Sequence, residues 1–272
     1  MGTLRPDPQG RRTLALGEGR PALIPLRPIA LRIEYDGTAY AGWQRQPHGP
    51  SVQETLEGAI RKLTGRKAAS VAAGRTDAGV HAAGQVVHFQ TRSRLPLGKW
   101  VGALNAHLPQ DVSVLEAWEA KKGFHAQFSA KGKTYTYTIW NMRGRSALLK
   151  HRAWHMPVPL NVPAMRKAAK VLEGRHDFRA FAQAEGARER KSTVRTLTGI
   201  RITAQGSLLT FEFKGNGFLT HMVRILAGTL VEVGKGKRKP ADLKDILKSK
   251  DRRRAGITAP PQGLCLMEVR YR

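Results

Sequence analysis

The sequence predicts an α+β fold made of two ferredoxin-like halves, each ordered β-α-β-β-α-β with an antiparallel sheet. Three observations predict it. Apolar residues switch repeatedly along the chain between a period of two and a period near 3.6. The segments so defined follow the same order in residues 29–120 as in residues 121–272. Hydrophobic residues make up 41% of the 272, enough to build a sizeable core. Residues 1–28 stand apart: rich in Pro, Gly and Arg, with only Asp7 and Glu18 as acids, they are expected to form a disordered basic extension.

In the first half, Leu31 to Tyr35 alternates as a half-buried strand and is stopped by Asp36-Gly37. Ser51 and Glu54 form a capping box, and Val52, Leu56, Ile60 and Leu63 recur at helical spacing up to Gly65. A short strand around Val71 leads into a glycine-rich turn, and Gln85 to Thr91 reads as the next strand. Trp100, Val101, Leu104 and Leu108 give a second helical stripe closed by Pro109, and Val112 to Ala117 a last strand. A junction is expected near residues 121–130. The second half opens with the strand Thr134 to Trp140. Asn161 and Pro163 mark the N-cap and first residue of a helix carrying Met165, Ala168, Ala169 and Leu172, ended by Gly174. Two strands, Arg195 to Thr203 and Leu208 to Phe213, flank the Gln205-Gly206 turn. Leu219 to Val233 reads as a helix and Leu264 to Tyr271 as the closing strand.

Charge narrows the function. Lys and Arg number 47 against 20 Asp and Glu, a formal net charge of +27. Such an excess on a well-patterned globular chain points to nucleic acid, because each phosphate neutralised releases counterions. Lys121, Lys122, Lys131 and Lys133, then Arg143, Arg145, Lys150 and Arg152, form runs without acids, while residues 235–254 and 187–195 are basic but mixed. The one cysteine, Cys265, excludes a disulfide framework and cysteine-based metal clusters, and fits a reducing, cytoplasmic compartment. No run of eighteen apolar residues occurs, so no membrane span is expected. A metal-dependent nuclease would need clustered carboxylates, which the chain lacks.

The segment Ala73-Gly-Arg-Thr-Asp-Ala-Gly-Val-His-Ala82 carries the chemistry. Gly74 and Gly79 bracket Arg75 and Asp77, so the carboxylate projects from a sharp turn. Asp77 there is a nucleophile, a general base or a cap of its own turn. A metal site from Asp77, His81 and His88 is disfavoured, because Gly79 interrupts the helical spacing it needs.

Gly74-Arg-Thr-Asp-Ala-Gly-Val-His81 resembles the signature loop of the TruA-type tRNA pseudouridine synthases. Further matching segments follow in the family's order. They are Ile33 to Gly37, Gly42 to Arg45, Asn105 with Leu108-Pro109, Phe124 to Ser129, Tyr135 with Tyr137, His176 to Phe178, Gly217 to Leu219, Met222 to Arg224, and Gly263 to Leu266. The resemblance spans about Ile29 to Tyr271. It implies the pseudouridine synthase fold, a continuous and largely antiparallel sheet with a central basic cleft. It implies isomerisation of uridine to pseudouridine in the anticodon stem-loop of tRNA (positions 38–40), without metal or organic cofactor, by a cytoplasmic homodimer.

By the same resemblance Asp77 matches the family's catalytic aspartate and Arg224 the arginine that pairs with it. Tyr135 matches the tyrosine that stacks on the target base, and Arg75 the residue that takes the place of the flipped nucleotide. Phe124, His125, Ala126, Gln127 and Phe128 match an RNA-positioning motif whose fourth place is arginine in many relatives. Gln127 can donate to a phosphate but brings no charge. Arg143 and Leu264 complete the expected substrate-binding set. The competing expectation is a catalytically idle RNA-binding or chaperone module, for which no carboxylate in a basic cleft is needed.

Overall fold

In a computed structural model, which describes residues 25–183 and 192–272, all ten strands join one sheet. The greater part of the basic extension (residues 1–24) and most of the 187–195 segment lie outside the described residues. The chain runs β1 (Arg27–Tyr35), α1 (Val52–Thr64), β2 (Val71–Ala72), β3 (His81–Thr91), α2 (Trp100–Asn105) and β4 (Val112–Glu119). It continues with β5 (Gly132–Trp140), β6 (Trp154–His155), α3 (Val162–Leu172), β7 (Gly174–Asp177), β8 (Val194–Gln205) and β9 (Leu208–Gly215). It closes with α4 (Met222–Gly234), α5 (Asp242–Ser249) and β10 (Leu264–Arg270).

The strands lie in the order β4-β1-β3-β10-β5-β9-β8-β7, with β2 also on β3 and β6 on β5. The run β4-β1-β3-β2 has the fourth, first, third and second strands of a ferredoxin-like unit side by side. The run β10-β5-β9-β8 repeats that order, so the expected α+β fold of two such units is what the chain adopts. The units fuse where β2 is too short to cover β3. It pairs at Val87 and His88, leaving the His81 end free for Leu266 and Cys265 of β10. That seam is parallel, and every other ladder along the path is antiparallel. A strap after β5 crosses the seam. His81 Nε2 donates to His151 O at 2.7 Å, its Nδ1 accepts from Gly37 N at 3.0 Å, and Arg152 pairs with Asp36 at 2.8 Å.

The helices form where the pattern places them. Ser51 Oγ accepts from Glu54 N to cap α1, which buries Val52, Leu56, Ala59 and Ile60 and ends at a left-handed Gly65. Asn161 caps α3 through Ala164 N, and α4 is buried on nearly all sides. Several boundaries differ from the sequence expectation. The first strand begins at Arg27, and β3 begins at His81 because Ala82, Ala83 and Gly84 carry no alternating signal. The second stripe stops at Asn105 rather than Pro109. The Asn105 side chain donates to Val114 O and accepts from Val114 N, tying the helix end to β4. Pro163 is the second residue of α3, and Gly174 opens β7 instead of ending the helix. The mixed run 235–254 holds α5, whose Leu243, Ile246 and Leu247 are buried.

Candidate active site

The turn that carries Asp77 is held from every side. Ala73 N donates to Val86 O at 2.7 Å, and Gln85 Nε2 donates to Gly74 O at 2.7 Å. Lys133 Nζ reaches across from β5 to Ala73 O at 2.8 Å. Thr76 is buried. Its hydroxyl shares a 2.8 Å hydrogen bond with Tyr35 Oη, and its carbonyl accepts from Trp43 N. Val80 N then closes a tight turn onto Asp77 O at 3.1 Å, with Gly79 at the third position and φ +74°. Gly42 lies behind the turn at φ +104°, where a Cβ would come within 2.6 Å of Thr76 O. Close backbone packing therefore fixes where Asp77 points.

The carboxylate points at α4. Arg224 Nη1 donates to Asp77 Oδ2 at 2.9 Å, and His221 Nε2 lies 3.4 Å from the same oxygen. Among the described residues, Asp77 Oδ1 has no hydrogen-bond partner, and neither oxygen bonds the backbone of its own turn. Arg224 is itself anchored: its Nε donates to Ala259 O at 2.8 Å, while its own carbonyl accepts from Ala259 N. Side-chain exposure is 14% for Arg224 and 27% for Asp77, so the pair is partly buried yet not sealed from solvent.

Tyr135 stands on β5 opposite Leu266 of β10 and Phe213 of β9. Its ring meets Phe218 edge-on at 5.1 Å. Its hydroxyl makes no hydrogen bond among the described residues. Burial pushes the phenol well above its ordinary pKa, and the negative charge of Asp77 adds to that. The phenol is therefore neutral at physiological pH: a flat apolar face with one uncommitted O–H. Tyr137, two residues on, is fully buried and spends its hydroxyl on Pro260 O at 2.8 Å. Leu264, buried at the start of β10, stands opposite Tyr137.

The other expected residues are distributed differently. Arg75 is exposed beside Asp77 and makes no ion pair among the described residues. Phe124, His125 and Ala126 surround His88 near the far end of β3: Phe124 meets His88 and Tyr271, and Ala126 N donates to His88 Nδ1 at 3.2 Å. His125 Nδ1 accepts from both Gln127 N and Phe128 N, and its ring stacks on Phe128 at 4.3 Å. Phe128 is 79% exposed and Gln127 is exposed. This second cluster is separated from Asp77 by most of β3. Arg143 is exposed beyond the end of β5, outside both clusters. His81 is occupied by Gly37 and His151, and the described residues hold no group of three His, Cys, Asp or Glu placed for a metal ion. Sequence reasoning missed His221. The signal was its i, i+3 spacing to Arg224 at the head of an apolar stripe.

Known proteins resemble this chain over most of its length. The family described as tRNA pseudouridine synthase matches residues 32–129 and 168–272. The chain is 45% identical over 246 residues to a protein of Caldicellulosiruptor bescii named tRNA pseudouridine synthase A, covering 90% of this chain and 100% of the relative. Its likeness to the protein of the same name from Thermoanaerobacter sp. (strain X514) is 46% over 246 residues, with the same coverage. For the one from Myxococcus xanthus the identity is 47% over 245 residues, covering 90% of this chain and 92% of the relative. Among solved structures, a chain of the archaeal box H/ACA sRNP Nop10-Cbf5 complex matches at 12% identity and TM-score 0.34. The match covers 88% of this chain and 46% of that one, so this chain spans about half its length.

Proposed function

The chain belongs to the tRNA pseudouridine synthase family, and on that footing we propose that it isomerises uridine in the anticodon stem-loop of tRNA with Asp77 as its reactive carboxylate. The reaction breaks the bond between N1 of uracil and C1′ of ribose, turns the base and joins C5 to C1′. N1 gains a proton and C5 loses one, so atoms and electrons balance within the substrate and no co-reactant enters. The work needed is that of a fixed nucleophile or base, a platform for a base removed from its stack, and charge to hold phosphates.

One observation carries this reading: Asp77 turns away from its own turn and is pinned at Oδ2 by Arg224, with Oδ1 left without a hydrogen-bond partner among the described residues. A carboxylate that merely capped the turn would bond its N–H groups. Oδ1 meets the ribose or the base. Arg224 holds the carboxylate by a charge-assisted hydrogen bond, and Tyr135 supplies the face on which the uracil stacks. Arg75 fills the gap that the nucleotide leaves or holds its phosphate. Exposed Gln127, Phe128 and Arg143 line the path of the RNA, with Phe124, His125 and buried Ala126 holding the first two in place and buried Leu264 supporting the strand that carries Tyr135. On this view residues 29–120 form the half that carries the aspartate loop and residues 121–272 the half that carries Tyr135 and Arg224. The site acts without metal or organic cofactor, in a cytoplasmic homodimer.

Asp77→Asn tests the reading. It is nearly isosteric, so tRNA affinity is expected to stay within about 1 kcal/mol of wild type. Pseudouridine formation is expected to fall by at least about 10³-fold. Single-turnover tritium release from C5-labelled uridine in tRNA, a filter-binding curve and a thermal melt measure the three quantities. Substantial turnover by a folded Asn variant would sink the role of Asp77.

A further inference from the structure

His221 is unusual on two independent counts. It is one of two non-glycine residues with positive φ among the described residues (φ 60°, ψ 1°), a left-handed conformation that the Cβ of an L-residue disfavours. Its side chain does nothing for the helix it introduces, since it makes no cap hydrogen bond to α4. The ring is carried instead to Asp77, where Nε2 lies 3.4 Å from Oδ2. Strain kept at a position where the side chain serves no local structure points to a function for that side chain.

We propose that His221 is a positioning residue for Asp77: its Nε2, 3.4 Å from Oδ2 and short of a formed hydrogen bond in this structure, closes onto that oxygen as a second donor beside Arg224 when substrate is bound and so keeps Oδ1 turned toward the substrate. This rests on Asp77 as the reactive carboxylate. A single donor on one oxygen leaves a carboxylate free to rotate about its Cβ–Cγ bond. Two contacts from different points of α4, the Arg224 hydrogen bond in its first turn and the His221 ring before its first residue, together restrict the plane of the group.

The charged groups facing the imidazole are Asp77 from the catalytic turn, Arg224 from α4 and Arg252 from the short 3-10 helix Arg252–Arg254. Burial lowers the ring's pKa below its ordinary value; Asp77 opposes this, and the two arginines add to it. The ring is thus a neutral donor near pH 7. Acidification through a range below the ordinary imidazole value protonates it and places a second full positive charge against the carboxylate, which weakens it as a nucleophile. Turnover is therefore expected to fall as pH falls through that window.

Two variants test this. His221→Gly accepts the left-handed backbone without strain and removes the donor. His221→Gln sets an amide N–H near the place of Nε2 and cannot titrate. Single-turnover rates and tRNA binding are measured between about pH 5 and 8, below the lowest melting midpoint of the three proteins. The Gly variant is expected to bind tRNA as wild type does and to lose about tenfold in rate, the scale of one hydrogen bond. The Gln variant is expected to recover most of that rate and to lose the wild-type decline toward acid. Wild-type rate in the Gly variant, or an unchanged acid decline in the Gln variant, would overturn the proposal. A wild-type protein inactive on every tRNA transcript would instead overturn the reading of Asp77.

Discussion

At Tyr135 and Tyr137, two side chains of one type on one face of one strand have opposite fates, and the contrast gives a test. Tyr137 Oη is committed to Pro260 O, whereas Tyr135 Oη has no partner among the described residues. Tyr137→Phe is expected to lower stability by about 1 kcal/mol, the net worth of a lost internal hydrogen bond. Tyr135→Phe is expected to leave the melting midpoint nearly unchanged and to keep tRNA affinity, since the stacking face survives. If its hydroxyl takes part in removing the C5 proton, tritium release slows while binding does not. Thermal melts and single-turnover assays of the two variants separate these outcomes. Which tyrosine was which could not be read from their alternation, which is the same for both. Only the resemblance singled out Tyr135. For Asp77, glycine spacing left the turn cap open, and what closes it is the 2.9 Å contact with Arg224, 147 residues away in sequence.

Whole elements were legible where one pattern dominated. The α1 helix carries its cap, its apolar stripe and its terminating glycine within fifteen residues of sequence, and its bounds were readable. The short β6 and β7 were not, because two to four residues carry no period and their pairing is decided by the strands beside them. The α5 stripe Leu243, Ile246 and Leu247 was present but masked by the surrounding lysines and arginines. Much of that basic charge is used internally. Arg238 pairs with Glu232, Lys250 with Asp177 and Arg253 with Asp251, and Arg252 donates to Gly256 O. Two glycines make the element-scale prediction. Gly42→Ala forces a positive φ on a residue with a Cβ and drives that Cβ into Thr76 O, so it is expected to destabilise by at least about 1–3 kcal/mol and to displace the Asp77 turn. Gly58→Ala, inside α1 with nothing from outside its own helix backbone within 4 Å of the new Cβ, is expected to stabilise by about 0.5–1 kcal/mol and leave turnover alone. Urea midpoints with parallel rate measurements check both. A Gly42 variant with normal rate and midpoint would mean that the close packing behind the turn does not set its position.

For the molecule as a whole, the surplus of +27 makes RNA binding an electrostatic matter. If about six phosphates are contacted, tRNA affinity is expected to fall by roughly three decades from low to moderate salt. A flat plot of affinity against salt in filter binding would contradict this. Exposed Lys121, Lys122, Arg143, Arg145 and Lys150 remain available for those contacts, whereas Lys133 and Arg152 are engaged within the fold. The proposed homodimer is expected to appear by light scattering at working concentration, and a strict monomer there would refute it. No helix among the described residues is long and apolar enough to cross a membrane.

The central place of β10 has a consequence for synthesis. The strand made last sits in the middle of the sheet, and the carboxylate made early waits for an arginine 147 residues further on. At roughly 5–20 residues per second, a ribosome needs about seven to thirty seconds to cover that interval. During it, the nascent first half exposes the His81 edge of β3 together with its basic surface, with neither Arg224 nor the strand that will pair there. Until β10 arrives, that edge is an unpaired row of backbone groups, open to pairing with another chain.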